Sequence, residues 1–183
     1  SIMALLIAWA IGLPAGIISA VKRNTVADYS IRGFVTLLMA IPNFWLGLAI
    51  ILFTVIFFRW RPPMELATLW GNPWQNLQMT IGPAIVMGFS FGAIIARMVR
   101  SSMLEILRDD YVRTANAKGL ANSTVIFRHA LRNALLPTIT ISGLYLGATI
   151  GGAVAVERAF SVPGLGLSLI YAVQARDWTV IQS

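Results

Sequence analysis

SIMALLIAWAIGLPAGIISAV, Ser1 to Val21, runs for twenty-one residues without a charge. At 1.5 Å of rise per residue, about 20 mostly apolar residues cross the roughly 30 Å of hydrocarbon in a bilayer. Ser1–Val21 therefore reads as a membrane helix. Three further stretches qualify: Gly33 to Phe58, about Leu77 to Ala96 with the helix carried to about residue 98, and Asn133 to Val156. Within the apolar limits Ser1–Val21, Gly33–Phe58, Leu77–Ala96 and Asn133–Val156 there is no Asp, Glu, Lys, Arg or His. Backbone polar groups in lipid must be paired internally, which selects helices over open sheet.

The whole chain agrees with this reading. Its 183 residues are 57% hydrophobic and 11% charged, with a mean hydropathy of +0.76, whereas soluble domains carry about 25% charged residues. An ordinary soluble domain is excluded. The expected fold class is all-α, a polytopic transmembrane helical bundle with spans at about 1–21, 33–58, 77–98 and 133–156. Pro14, Pro42, Pro83 and Pro137 sit in or at the ends of these spans and predict kinks. Gly143, Gly147 and Gly151 repeat at i+4 and predict a small-residue face for close helix contact, with a lipid-facing row as the alternative.

Loop charges orient the bundle. Lys22, Arg23, Arg32, Arg97, Arg100, Arg108, Arg113, Lys118, Arg128 and Arg132 fall on one side, against Arg59, Arg61, Arg158 and Arg176 on the other. The side rich in Lys and Arg is expected to be cytoplasmic. Segments 59–76 and 157–183 are then extracytoplasmic, and the net charge of +7 is a topology signal. In the first of these, Pro62-Pro63, Gly71-Asn72-Pro73, Trp60, Trp70 and Trp74 suit an irregular segment with aromatic anchors at the headgroups or, equally, a buried aromatic cluster. In the second, Ser161-Val-Pro163-Gly164-Leu-Gly166 signals a turn, an amphipathic run follows from Leu167 to Ala175, and Asp177 is placed to cap a further helix.

Several chemistries find no footing. Cysteine is absent and His129 is the lone histidine, so no disulfide framework, thiolate site or histidine-based metal cluster is available. The only lysines, Lys22 and Lys118, do not follow the glycines of a G-x-x-x-x-G-K-[ST] phosphate loop. Asp109-Asp110 reads as a helix cap and not as a catalytic carboxylate pair. The chain starts inside an apolar stretch with no initiator Met and no basic segment before it, so it reads as a fragment and not as an intact signal peptide.

The informative polar segment is the loop at about 101–132. Asp110 is placed to N-cap a short helix over Tyr111 to Lys118, Lys118 complements its dipole, and Gly119 supplies a left-handed stop that Leu120 can close. Ser123 is placed to cap a second helix with Phe127, Ala130, Leu131 and Ala134 as an apolar stripe and Arg128 and Arg132 on the opposite face. Two capped helices tied directly to two spans make a knob that passes on a partner's push, where a flexible loop would absorb it.

Tyr111-Val-Arg-Thr-Ala-Asn-Ala-Lys-Gly119-Leu and Arg128-His-Ala-Leu-Arg-Asn-Ala-Leu-Leu-Pro137 closely resemble the cytoplasmic EAA loop of dipeptide and oligopeptide ABC-importer permeases, in the wording of the B-type subunit. The resemblance extends to Ser101-Ser-Met-Leu-Glu105, Ile41-Pro-Asn-Phe-Trp-Leu-Gly47 and Glu157-Arg-Ala-Phe160-Ser-Val-Pro163-Gly-Leu-Gly166, and so covers nearly the whole chain. Arg113-Thr114-Ala115 stands where the general ABC pattern has Glu-Ala-Ala, and Leu131-Arg132 where many importers have Leu-Pro. Both departures are usual in the peptide branch.

The resemblance implies a type I ABC-importer permease fold, of whose six spans this chain holds the second to the fifth. It implies a coupling helix over about Arg113 to Arg128 that docks into an ATPase subunit. It also implies a second homologous permease, two ATPase subunits that hold the ATP and Mg, and an extracytoplasmic solute-binding protein, with no cofactor bound by this chain. The residues expected to couple to the ATPase are Tyr111, Arg113, Ala115, Lys118, Gly119, Leu120, Arg128 and His129. Asn43, Ser90 and Ser142 are nominated for the solute path as polar groups within spans, although Ser also bonds its own helix.

An ion-coupled secondary transporter is the main alternative, and it calls for intramembrane charge that the four apolar stretches lack. Ala115, Gly119 and Val125 have a spacing reminiscent of a helix-turn-helix, yet helices tied at both ends to membrane spans have little freedom to enter a DNA groove, so no nucleic-acid partner is expected. Attraction of the basic loop to anionic membrane lipid accounts for its charge but not for its caps or its glycine.

Overall fold

A computed structural model of the chain describes residues 1–59 and 70–182 and is all-α in the described regions. Helix α1 spans Ile2–Val21, α2 Val26–Ala40, α3 Asn43–Phe58, α4 Pro73–Ile106 and α5 Asp110–Ala117. Next, α6 (Asn122–Thr124) runs through a π-helix at Val125–Ala130 into α7 (Leu131–Gly152), followed by α8 (Val154–Phe160), α9 (Leu165–Ala175) and α10 (Trp178–Gln182). By length and composition α1 and α4 each suffice to cross a membrane. Trp60, Arg61, Pro62 and Pro63 of the outer loop lie outside the described residues, while Trp70 and Trp74 are exposed in this chain.

The second span is two helices. Where the sequence reading has one kinked span over 33–58, α2 begins at Val26 and meets α3 at an angle of 103°. Pro42 is the cause: the residue before a proline is driven out of the helical region, and Ile41 is extended at ψ 124°. The third helix also exceeds its expected span. At 1.5 Å per residue α4 is about 51 Å long, so it overshoots any hydrocarbon layer and carries Arg97, Arg100 and Glu105 in its last turns.

Helix α4 is the axis of the bundle and touches α1, α2, α3, α7 and α8. Its closest neighbour is α1, where side chains have been removed to let the backbones meet. A Cβ at Gly12 would stand 2.6 Å from the Gly92 carbonyl oxygen, and one at Gly16 2.7 Å from that of Ala96. In lipid, helices associate through such close packing because the surrounding tails are as apolar as they are. The glycine row expected to do this was in α7, and within this chain it makes no such contact. Gly143 and Gly147 have nothing within 4 Å of a Cβ position, and Gly151 falls among residues whose surroundings are not described. The i+4 spacing marks a smooth face, and the pairing of α1 with α4 decides which smooth face is used.

Around this axis Ala8, Phe91, Ile95, Val99, Met103, Ile126, Ala130 and Ala134 form one core shared by α1, α4, the π-helix and α7. The rings of Phe91 and Tyr145 stack with centroids 3.6 Å apart, and Tyr145 Oη donates to the Met87 carbonyl at 3.1 Å. Helix α8 docks through Phe160, whose ring lies against Gly47 of α3 and Gly82 of α4. A turn then returns the chain to α9, whose Leu167 N–H donates to Glu157 Oε2 at 2.8 Å. Asp177 caps α10 as expected, accepting from the Thr179 N–H at 3.1 Å.

The start of α2 is fixed to α4 by a buried ion pair that the sequence reading did not anticipate. Arg100 donates from Nε and Nη2 to the two carboxylate oxygens of Asp28, each at 2.9 Å. Ser19 Oγ and the Asn24 N–H complete the shell at 2.5 and 3.0 Å, and Asp28 is fully buried. Thr25 caps the helix, its Oγ1 accepting from the Asp28 N–H at 3.5 Å.

Two outcomes follow for the purified full-length protein. Gly16→Val lowers stability by about 1–3 kcal/mol through overpacking against α4, whereas Gly143→Ala leaves the thermal unfolding midpoint unchanged or raises it; equal midpoints for Gly16→Val and wild type would contradict the close contact. Arg100→Met costs about 3–5 kcal/mol because it strands a buried carboxylate, and adding Asp28→Asn recovers part of that loss. Strictly additive losses in that double-mutant cycle would rule the pair out as an interacting unit.

Candidate functional site

The loop at about 101–132 folds into a compact knob. Helix α4 ends at Ile106, and α5 begins at Asp110 with Asp109 in the N-cap position at φ −66°, ψ 149°. This shifts the expected start by one residue. Asp110 lies inside the first turn and not before it, and Asp109 makes no side-chain cap bond. The stop is the one read from sequence: Gly119 has φ +74°, its N–H donates to the Asn116 carbonyl at 3.0 Å, and the Leu120 N–H reaches back to the Ala115 carbonyl at 3.4 Å. Together these bonds make a Schellman closure, which satisfies carbonyls left open at a helix end.

The second helix starts at Asn122 with Ala121 as its N-cap, so Ser123 is a helical residue and not the cap. The stripe is also rearranged: Ile126, Ala130 and Ala134 are buried, whereas Phe127 is 60% exposed. The chain runs here through a π-helix at Val125–Ala130, and the buried row is the i, i+4, i+8 set from Ile126 and not the set from Phe127.

The knob has its own small core. Val112, Ala115 and Val125 are buried together, with Ile106 and Leu107 from the end of α4 packed on them. Tyr111 crosses to the other limb: its hydroxyl donates to the His129 carbonyl at 3.4 Å and accepts from Asn133 Nδ2 at 3.0 Å. The residues singled out from sequence therefore divide into two groups. Ala115 and Tyr111 hold the knob together, with His129 half-buried beside them, while Arg113, Lys118, Gly119, Leu120 and Arg128 are exposed. The Arg113 contact to Asp110 at 3.6 Å is open to water on both sides and adds little stability. The first set, of which Ala115 is buried and Tyr111 exposed but hydrogen-bonded, joins the tip to α4 and α7, and the second gives a basic surface at the tip.

The three nominated path residues do not form one group. Ser90 Oγ donates to Asn43 Oδ1 at 2.6 Å, and both line a cavity of about 190 Å³ where the α2–α3 junction meets α4 and α7, with Phe91 and Tyr145 on its wall. Ser142 lies elsewhere. It is buried, donates to the Thr138 carbonyl at 2.7 Å and accepts from Trp9 Nε1 at 3.0 Å, and so pins α1 to α7. Trp9 and Tyr145 were missed by the sequence reading, although a polar aromatic in the middle of an apolar span must find a partner for its N–H or O–H.

Residues 12–183 match the family described as binding-protein-dependent transport system inner membrane component. The chain is 41% identical over 203 aligned positions to a di/tripeptide transport system permease protein, DppB, of Pseudomonas aeruginosa strain UCBPP-PA14, and the alignment covers 100% of this chain and 60% of that relative. It is 39% identical over 204 positions to the dipeptide transport system permease protein DppB of Escherichia coli K12, covering 99% of this chain and 60% of the relative. It is 40% identical over 180 positions to the oligopeptide transport system permease protein AppB of Bacillus subtilis 168, covering 97% of this chain and 57% of the relative. The chain thus spans about 60% of the length of the curated relatives it matches. With its bundle, its knob and these likenesses, the chain belongs to the family of binding-protein-dependent transport system inner membrane components.

Proposed function

We propose that this chain is the membrane-spanning part of a permease subunit in an ATP-driven ABC importer, a multi-pass protein of a bacterial or archaeal cytoplasmic membrane that moves peptides or a related small solute by alternating access. The named relatives are di/tripeptide, dipeptide and oligopeptide permeases, which supports that class of solute. Its partners on this reading are a second homologous permease, two ATPase subunits that supply ATP and Mg, and an extracytoplasmic solute-binding protein. The chain itself is not an enzyme and binds no cofactor.

The observation that carries the proposal is the construction of the knob. Its exposed tip, Arg113, Lys118, Gly119, Leu120 and Arg128, is the surface offered to the ATPase. Its buried seam, Val112, Ala115 and Val125 on Ile106 and Leu107, delivers a push on that tip to α4. Tyr111 delivers it to the π-helix at the His129 carbonyl and to α7 at Asn133. Both helices border the cavity that holds Asn43 and Ser90, so the ATPase and the solute act on the same two rods.

Two variants of the full-length protein, co-purified with its ATPase, test this. Gly119→Pro forces φ to about −65° where the turn needs a positive angle, and it also removes the N–H given to Asn116. Arg113→Glu reverses one charge at the exposed tip and leaves the seam intact. Both are expected to lose ATPase from the purified complex while the permease stays monodisperse. Undiminished capture by both variants, or no capture by wild type, would move the assignment to a secondary transporter.

A further inference from the structure

A second cavity, of about 320 Å³, lies between α2 and the α1/α4 pair at the end of the bundle that carries most of the cations. Its polar lining is basic, with Arg32 from α2 and Arg97 and Arg100 from α4, and Thr36 and Ser101 beside them. Three guanidinium groups around one cavity repel one another unless an anion balances them. Asp28 balances one. Both its oxygens are taken by Arg100, Ser19 and the Asn24 N–H, and it is fully buried beneath the cavity wall. Arg32 lies over the Tyr29 ring at 5.7 Å, and among the described residues neither Arg32 nor Arg97 meets a carboxylate. Two cations from facing helices are therefore left uncompensated, and Arg100 keeps its Nη1 free of the ion pair.

The surroundings indicate what balances them. Apart from Ser19, which is bonded to Asp28, the rest of the wall is apolar, formed by Ile31, Val35 and Ala96. On its other flank α2 borders a groove of about 300 Å³ that is apolar nearly throughout, and Phe34 and Leu37 of the same helix are exposed. Apolar surface of this kind beside the cations suits acyl chains and offers nothing to a soluble anion. Basic pockets between membrane helices on the cytoplasmic side are matched to anionic headgroups. We propose that this cavity holds the phosphate of an anionic phospholipid headgroup, gripped by Arg32 and Arg97 with Arg100 and Ser101 as further donors. The headgroup bridges α2 to α4 at the cavity mouth, as Asp28 bridges them from beneath, ten residues before the knob begins at Asp110.

The test uses the purified full-length complex, relieved of lipid and given phosphatidylethanolamine vesicles doped with either phosphatidylglycerol or cardiolipin, and native mass spectrometry to count retained lipid. Its readout is bound lipid and not transport, so it stands apart from the importer assignment. Wild type is expected to retain an anionic lipid in preference to phosphatidylethanolamine. Arg32→Gln and Arg97→Gln are each expected to weaken that retention about fivefold. Thr36→Trp keeps every charge but fills the space, and it should lose the lipid too, whereas Arg23→Gln, outside the cavity, should keep it. Equal retention by the Arg32→Gln/Arg97→Gln double variant and wild type overturns the site. So does an equal loss in Arg23→Gln, which would mean diffuse attraction to the surface. Displacement of the lipid by excess inorganic phosphate would overturn the lipid assignment in favour of a free anion.

Discussion

The closeness of α1 and α4 is the constraint on which the rest of this bundle depends. With Gly12 and Gly16 facing Gly92 and Ala96, the two backbones approach to a distance that no larger side chain would allow. Inside a bilayer that closeness replaces the hydrophobic effect as the reason for helices to stay together. The other elements then attach to α4 in turn, each by a different chemistry. The bidentate Asp28–Arg100 pair holds α2, the Ser90–Asn43 bond holds α3, the Phe91–Tyr145 stack holds α7, and the Phe160 ring set on Gly82 holds α8.

A helix much longer than the bilayer is thick is a mechanical part as well as a structural one. The far end of α4 supplies Ile106 and Leu107 to the core of the knob, and the knob returns through the π-helix to α7, which packs on α4 again. The chain thus forms a closed circuit of packed helices, with the basic tip of α5 as its outermost point. A π-helix is rare and is found frequently at functional sites. Here it lies where the knob meets the membrane helix, with Phe127 outward and Ile126 and Ala130 facing the core.

Some of the site was legible because the signal was local. A glycine after a short polar helix needs only its own backbone to end that helix, and Gly119 does so at φ +74°. Asp177 capping α10 is of the same kind, and so is a bend at Pro42, although its 103° makes two helices of what reads as one kinked span. Other expectations depended on neighbours that a linear reading cannot see. Ser142 is polar and intramembrane, as a path residue should be, yet Trp9 from a helix more than a hundred residues away claims it. Asn43 and Ser90 are in equivalent positions by composition, and they meet in a cavity because α3 is turned by 103° at Pro42.

That this is an all-α membrane protein, which loops carry the cations and where α5 stops could all be read along the chain. Those follow from hydropathy summed along the chain, from charge counts and from backbone angles, each a property of a residue or its immediate neighbours. Only the tertiary structure decided which glycines touch, that Asp28 would be buried against Arg100, and which of the knob's residues face inward. Those depend on how helices pair, and pairing in lipid is chosen by shape complementarity between distant segments, since many apolar faces are equivalent in composition and few fit one another at close range.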